Sequence, residues 1–234
     1  MFTKSIITIS FLFGSVSSFV PVTRKECLNR HKISLGSKKD DTVLSPALPV
    51  GAFVEFEEKK HRVHIGKIAE VEHKSNGATR YGVEDSDGHH FNIADKAVHF
   101  SIIPPNSPGP ASVLYNKFIE AQQASEDELQ SQLDISPELL ELAWEEALEH
   151  EDVSGEHNGV TPDQLIELVH SHAASAIENY QAWRLLQTDV AHVFFKDMKD
   201  HGQVTSFKVK ARKAVDTAKK AFCNTHDDSD ICLV

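Results

Sequence analysis

The stretch TPDQLIELVHSHAASAIENYQAWRLLQTDVAHVFF (Thr161–Phe195) decides the fold. Thr161 and Gln164 have the spacing of a capping box, and Pro162 suits the first helical turn, so a helix opens here. In SAIENYQAWRLLQTD, Ile177, Tyr180, Trp183 and Leu186 recur at helical spacing and predict a second helix with a buried stripe. Two β-like pieces follow, VAHVFF and VTSFKVK, joined by KDMKDHGQ with Gly202 at the turn. Upstream, SPELLELAWEEALEHE predicts a longer helix capped by Ser136 with Pro137 in its first turn. There Leu140, Ala143, Trp144 and Ala147 form the inward stripe, while Glu138, Glu141, Glu145 and Glu149 face water. Three helices followed by a β-hairpin is winged-helix order. ASVLYNKFIEAQQ and a short helix behind a Ser125/Glu128 capping box precede them, so the winged-helix domain is set at 111–210. A basic helix, ARKAVDTAKKAF, and a tail fill 211–234.

Before this helical half the period is two. AFVEF, RVHIGKIAEV, TRYGVED, HHFNIA and AVHFSII predict five short strands between 47 and 104, with turns at Ser75-Asn76-Gly77 and Asp85-Ser86-Asp87-Gly88. Val54, Phe56, Val63, Ile65, Tyr81, Val83, Phe91, Ile93, Val98 and Phe100 are the expected core, and Gly66 marks a bulge or sharp bend. Five strands of this size predict a small SH3-like or OB-like β-barrel. PPNSPGP (Pro104–Pro110) can continue neither a ladder nor a helix interior and ends the module. The fold class is α+β.

The first forty residues read as an address. IITISFLFGSV (Ile6–Val16) follows Lys4 and precedes small residues; as a helix it spans roughly 16 Å, too short for a bilayer of about 30 Å. This is the order of a signal peptide, set at 1–18. Residues 19–39 hold six Lys/Arg against Glu26 and read as a transit peptide. Signal and transit joined at Phe19-Val20-Pro21 resemble the bipartite presequence of complex plastids. That resemblance makes Phe19 the targeting residue and the plastid the destination, with secretion as the alternative. No stable membrane span is expected.

Composition limits the chemistry. Residues 1–39 hold seven of the 24 Lys/Arg and one of the 35 Asp/Glu, which leaves a net charge of −17 beyond them. Cys223 and Cys232 are the cysteines outside the leader and make neither a disulfide framework nor a zinc motif. Of the fourteen histidines, His170 and His172 lie two apart on the expected helix and so face different directions. No nucleophile elbow, phosphate-cradling glycine loop or paired-His zinc motif occurs, and Asp227, Asp228 and Asp230 are too near the terminus to hold an ion. No metal or catalytic residue is assigned.

Winged helices and small barrels often bind nucleic acid, but fold does not fix function, and phosphate binding needs Lys and Arg. From Phe118 to Trp183 there is no Lys or Arg against sixteen Asp/Glu, so that half is a poor recognition unit. Two basic groups remain. The barrel offers Lys59, Lys60, Arg62, Lys67 and Arg80, with Tyr81 to stack a base. The hairpin and tail offer Lys208, Lys210, Arg212 and Lys213.

LLELAWEEALE and VTPDQLIELVHSHAASAIENYQAWRLLQTDVAHVFF resemble the winged-helix module of organellar ribonuclease II/R (RNB) exoribonucleases. The matching features are Ala143-Trp144, Val160-Thr161-Pro162, and Glu178-x-Tyr180 with Leu185-Leu186. VGAFVEFEEKKHRVHIGKIAEV is similar to the small barrel ahead of it, with Gly51-x-x-x-Glu55-Phe56 opening its first strand. The resemblance covers about 47–222. It implies a non-catalytic region that guides RNA into a Mg²⁺-dependent 3′–5′ exoribonuclease. In that family the metal-holding aspartates lie in a separate catalytic domain, so no cofactor is expected on this chain. The chain ends at Val234, where catalysis would begin, and so reads as truncated or free-standing. The expected partners are RNA and either a catalytic RNB domain or a basic protein. An adaptor that uses an acidic helical face is the alternative, and a DNA-binding winged-helix regulator a further one.

Overall fold

The computed structural model describes residues 47–58, 62–104, 111–154, 159–200 and 202–225. The leader, Phe19 within it, and Lys59 and Lys60 lie outside the described residues. Residues 44–234 form one compact unit.

Five strands come first: β1 (Phe53–Glu58), β2 (Arg62–His73), β3 (Thr79–Asp85), β4 (His90–Ala94) and β5 (Val98–Ile102). They form one antiparallel sheet in the order β4-β3-β2-β1-β5, with a single 3-10 turn, Asp95–Ala97, before the last strand. A four-strand meander whose fifth strand returns beside the first is the SH3-like arrangement, and it settles the choice against the OB-like one.

β1 explains how this sheet serves two cores. Its first four residues are all buried. Val54 and Phe56 point inward with Ile68, Tyr81, Val83, Ile93 and Val98. Phe53 points the other way and joins Ile65, Ile102 and the helices in a second, larger core. A strand alternates faces, so burial on every residue means that both faces are covered. The expected core residue Val63 is instead 40% exposed near the start of β2. Gly66 is needed for close approach: a Cβ there would sit 2.4 Å from a Val83 methyl and 2.8 Å from the Glu84 carbonyl oxygen. The register shift falls two residues later, between Ile68 and Glu70, so Gly66 is not itself the bulge.

The helical half runs α1 (Ala111–Gln123), α2 (Glu126–Leu133), α3 (Pro137–Ser154), α4 (Pro162–His170), α5 (Ala176–Leu185) and α6 (Ala191–Phe194). β6 (Phe195–Asp200), β7 (Gln203–Val209) and α7 (Arg212–Cys223) complete it. Capping boxes at Ser125/Glu128, Thr161/Gln164 and Ser175/Glu178 fix three helix starts. Val160 forms a single antiparallel bridge with Phe207 beside the β6–β7 wing. The α3, Val160 bridge, α4, α5, hairpin order is a winged helix. The expected strand VAHVFF is instead mainly the helical turn α6, with β6 starting at Phe195. Phe194 and Phe195 are both fully buried, and a turn of helix followed by strand is what sends consecutive side chains into one core. Cys223 is disulfide-bonded, an outcome not expected from three cysteines.

Candidate nucleic-acid interface

In a helix-turn-helix unit the second helix reads the major groove. Here that helix is α5, and it is enclosed. Tyr180, Gln181, Ala182, Trp183 and Leu185 are all buried. Tyr180 stacks edge-on to Phe118 of α1 at 4.4 Å between centroids, and Phe100 of β5 lies 5.1 Å from Tyr180 and 5.3 Å from Trp183. Gln181 donates to Gln132 of α2 at 2.6 Å, and the Trp183 indole N–H donates to the Val204 carbonyl of β7 at 3.0 Å. Arg184 donates to the last carbonyls of α1, those of Ala121 (2.6 Å) and Gln122, where a cation complements the helix C-terminus.

Glu55 closes the same seam from the barrel side. It is 5% exposed, and the Tyr180 hydroxyl donates to its carboxylate. Glu55 lies 3.7 Å from Nδ1 of His99, and Glu57 lies 3.6 Å from Nε2. Glu55 chiefly, and then Glu57, raise His99 above the usual histidine range, against the opposing pull of burial and of Lys199. Burial, reinforced by the Glu55 charge, also pushes the Tyr180 hydroxyl far upward, so Tyr180 stays a neutral donor. Two residues from the sequence motifs, Glu55 and Tyr180, therefore meet each other.

The wing is held by three more bonds. The Trp144 indole N–H donates to the Lys210 carbonyl at 2.7 Å. Gln203, beside the hairpin turn, donates to the Val98 carbonyl at 2.6 Å and to the Asp95 carbonyl at 3.3 Å, which fastens the wing tip to the barrel.

The expected RNA-binding residues divide into free and committed ones. Arg62, Lys67, Lys208 and Lys213 are exposed. Arg80 is partly covered and donates to Asn92 at 3.0 Å. Tyr81 cannot stack a base: it is fully buried, and its hydroxyl donates to Asp95 at 2.8 Å while accepting the Leu48 amide. Its alternation with Val83 puts it inside the barrel, where burial pushes its hydroxyl up to about 12. Lys210 turns inward and its ammonium donates to the His192 carbonyl; burial first, and then Lys196, lowers it from the usual lysine range. Arg212 pairs with Glu145 at 3.3 Å and lies over the Trp144 ring, and Lys219 pairs with Glu141 at 2.6 Å. Glu141 and Glu145, expected to face water, thus hold α7 on α3. The sequence missed two exposed wing cations, Lys196 and Lys199, although their positions in the KDMKDHGQ connection are plain.

Two histidine clusters test for metal ligation. Asp85, Asp87 and His89 bring ligand atoms within 4.8 Å of one another. Asp85 is already occupied as a turn cap, accepting the amides of Asp87 (2.9 Å) and His89 (2.8 Å) and facing the His89 ring at 3.0 Å. Slight burial works against its ionisation, but those bonds outweigh it and hold the carboxyl below its ordinary range. His170 and His172 do not diverge as expected. Ser171 takes a left-handed conformation that ends α4, and the rings come to 5.7 Å. Each has its own partner, the Leu133 carbonyl (2.7 Å) and Glu178 (3.2 Å).

The architecture defines a winged helix whose reading helix is internal, joined through it to a small SH3-like barrel. Residues 126–214 match the family described as "Ribonuclease II, winged helix domain", which supports a ribonuclease II-type region there. Over 183 residues the chain is 25% identical to "Ribonuclease II, chloroplastic/mitochondrial" of Arabidopsis thaliana. That match covers 78% of this chain and 20% of the relative, so the chain spans about a fifth of the relative's length. No solved structure matches.

Proposed function

We propose that this region is a non-catalytic, RNA-guiding scaffold of an organellar ribonuclease II-type 3′–5′ exoribonuclease. The observation that carries the reading is the enclosure of α5: the helix that would read a DNA groove is spent on joining barrel to wing. This argues against the DNA-binding regulator and for a rigid connector that presents cations at fixed positions. The relative's name supports an organellar location, and the basic, acid-poor leader supports a plastid address. Hydrolysis would belong to a catalytic domain that the scaffold serves.

The test is the full chain with 5′-labelled single-stranded RNA and Mg²⁺. Binding that weakens steeply with salt, without 3′ shortening, is expected. Absence of binding at low salt overturns the guiding role, and genuine shortening overturns the non-catalytic one.

A second reading rests on α3. Leu142 is 58% exposed, and Glu138, Glu146 and Glu149 lie on its side of the helix, all exposed. An apolar residue ringed by carboxylates suits a basic protein partner. Leu142→Asp should then abolish co-purification of a defined basic partner while leaving RNA binding intact.

A further inference from the structure

The winged-helix hairpin carries a cationic face that neither its fold nor its packing requires. Lys196 of β6 and Lys208 of β7 are directly opposed in the register. Cross-strand partners share a face of the sheet, and both lysines are exposed. Like charges placed opposite each other destabilise a hairpin. The next pair along that face is Met198 and Ser206, both uncharged. The hairpin has two carboxylates. Asp197 alternates to the other face and lies 3.0 Å from His192, while Asp200 shares the lysines' face but stands four residues beyond Lys196, roughly 13 Å along the strand, at the turn end opposite Gln203. Lys210 is a further cation near Lys196, whose charge disfavours its own, and its ammonium is turned onto the His192 carbonyl.

Two further cations lie toward the barrel, off the face of the pair. Lys199 is exposed and close enough to His99 of β5 to oppose its protonation. Gln203 ties the same end of the hairpin to Asp95 and Val98, and exposed Lys96 lies between those two residues in the chain. With a rise of about 3.3 Å per strand residue, Lys196 and Lys199 stand roughly 10 Å apart along the wing. Lys199 alternates to the side of Asp197, so it and Lys96 flank the seam that Gln203 closes and stand apart from the face of the pair.

We infer that this outward face of the β6–β7 hairpin is a binding surface for the phosphate backbone of single-stranded RNA, centred on Lys196 and Lys208. The inference rests on the RNA-guiding reading above and locates its principal contact on the wing. Charge complementarity selects the occupant. The chain carries a net charge of −11, and its 118–183 stretch has no Lys or Arg, so a polyanion is repelled over most of the helical half. The enclosed α5 removes groove reading, which leaves contact with the backbone alone and predicts binding without sequence preference.

The experiment measures binding of labelled oligouridylate to the full chain over a salt series. Each phosphate contact on a single strand contributes about 0.7 to the slope of log affinity against log salt. The K196Q/K208Q double variant should therefore show a slope shallower by about 1.4 and roughly 25-fold weaker binding at about 0.1 M salt. K196R/K208R should keep the parent slope. Both positions are exposed, so the thermal midpoint of the glutamine variant should be no lower than the parent's. If K196Q/K208Q binds like the parent while R62Q/K67Q loses affinity and slope, the wing surface is overturned and the guiding role survives on the barrel. If the parent itself fails to bind oligouridylate at low salt, both fall.

Discussion

Glu55 shows how one residue can hold two modules. A carboxylate 5% exposed needs partners, and it finds them in the Tyr180 hydroxyl and the His99 ring. Removing the hydroxyl leaves a buried acceptor short of a donor, which costs about 1–3 kcal/mol. Tyr180→Phe should therefore lower stability by that order in urea denaturation, and Glu55→Gln should be strongly non-additive with it. His99 adds a pH dependence whose sign is fixed. Its folded-state pKa is raised, so its contribution is complete below the unfolded value of about 6.5 and is lost as pH rises through the folded value. The stability gap between the parent and His99→Gln should accordingly narrow as pH rises above about 6.5. The gap should be modest, because the His99 side chain is 32% exposed and partly screened. A gap that widens with pH would refute the assignment. Glu55 and Tyr180 were each visible as motif residues, but their meeting was not: 125 residues separate them, and no local pattern encodes such a contact.

At the scale of elements, local rules governed what could be read. Capping boxes at Ser125 and Thr161, Pro162 in a first turn and the apolar stripe of α3 are short-range signals, and each element they announce is present. Val190–Phe195 was misread because a continuous apolar run suits a buried strand and a buried helical turn equally. Tyr81 was misassigned because its ring suggested a ligand, although alternation with Val83 placed it inside. The neutralised cations of α7 were hidden for a tertiary reason, since Glu141 and Glu145 lie some seventy residues away in sequence, 78 between Glu141 and Lys219. The wing itself depends on an indole. Trp144→Phe keeps the ring's bulk but loses the bond to the Lys210 carbonyl, at about 1 kcal/mol. Amides of β7 and the start of α7 should then exchange with deuterium faster, while those of α1 and α2 stay unchanged. Uniform acceleration across the helices would mean that the bond does not hold the wing locally.

For the whole molecule, the shared core matters more than the apparent boundary at residues 104–110. Phe53, Ile65 and Ile102 leave the sheet on its outer face and belong to the same apolar cluster as Phe118, Leu140 and Trp183. The Tyr115 ring of α1 packs 5.0 Å from that of Phe53, and its hydroxyl donates to the Ile65 carbonyl at 3.3 Å. Burying a large apolar side chain stabilises by about 1.5–3 kcal/mol, so neither half can release the other cheaply. Barrel and winged helix should therefore unfold in one transition. Both tryptophans, Trp144 and Trp183, lie in the helical half, so their fluorescence reports on that half, while amide exchange in β2 and β3 reports on the barrel. The two should give the same unfolding free energy, and Phe53→Ser in the barrel should lower the fluorescence midpoint as much as it weakens β-strand protection. A barrel that opens well below the fluorescence transition would mean that the two halves unfold as separate units in spite of the shared core.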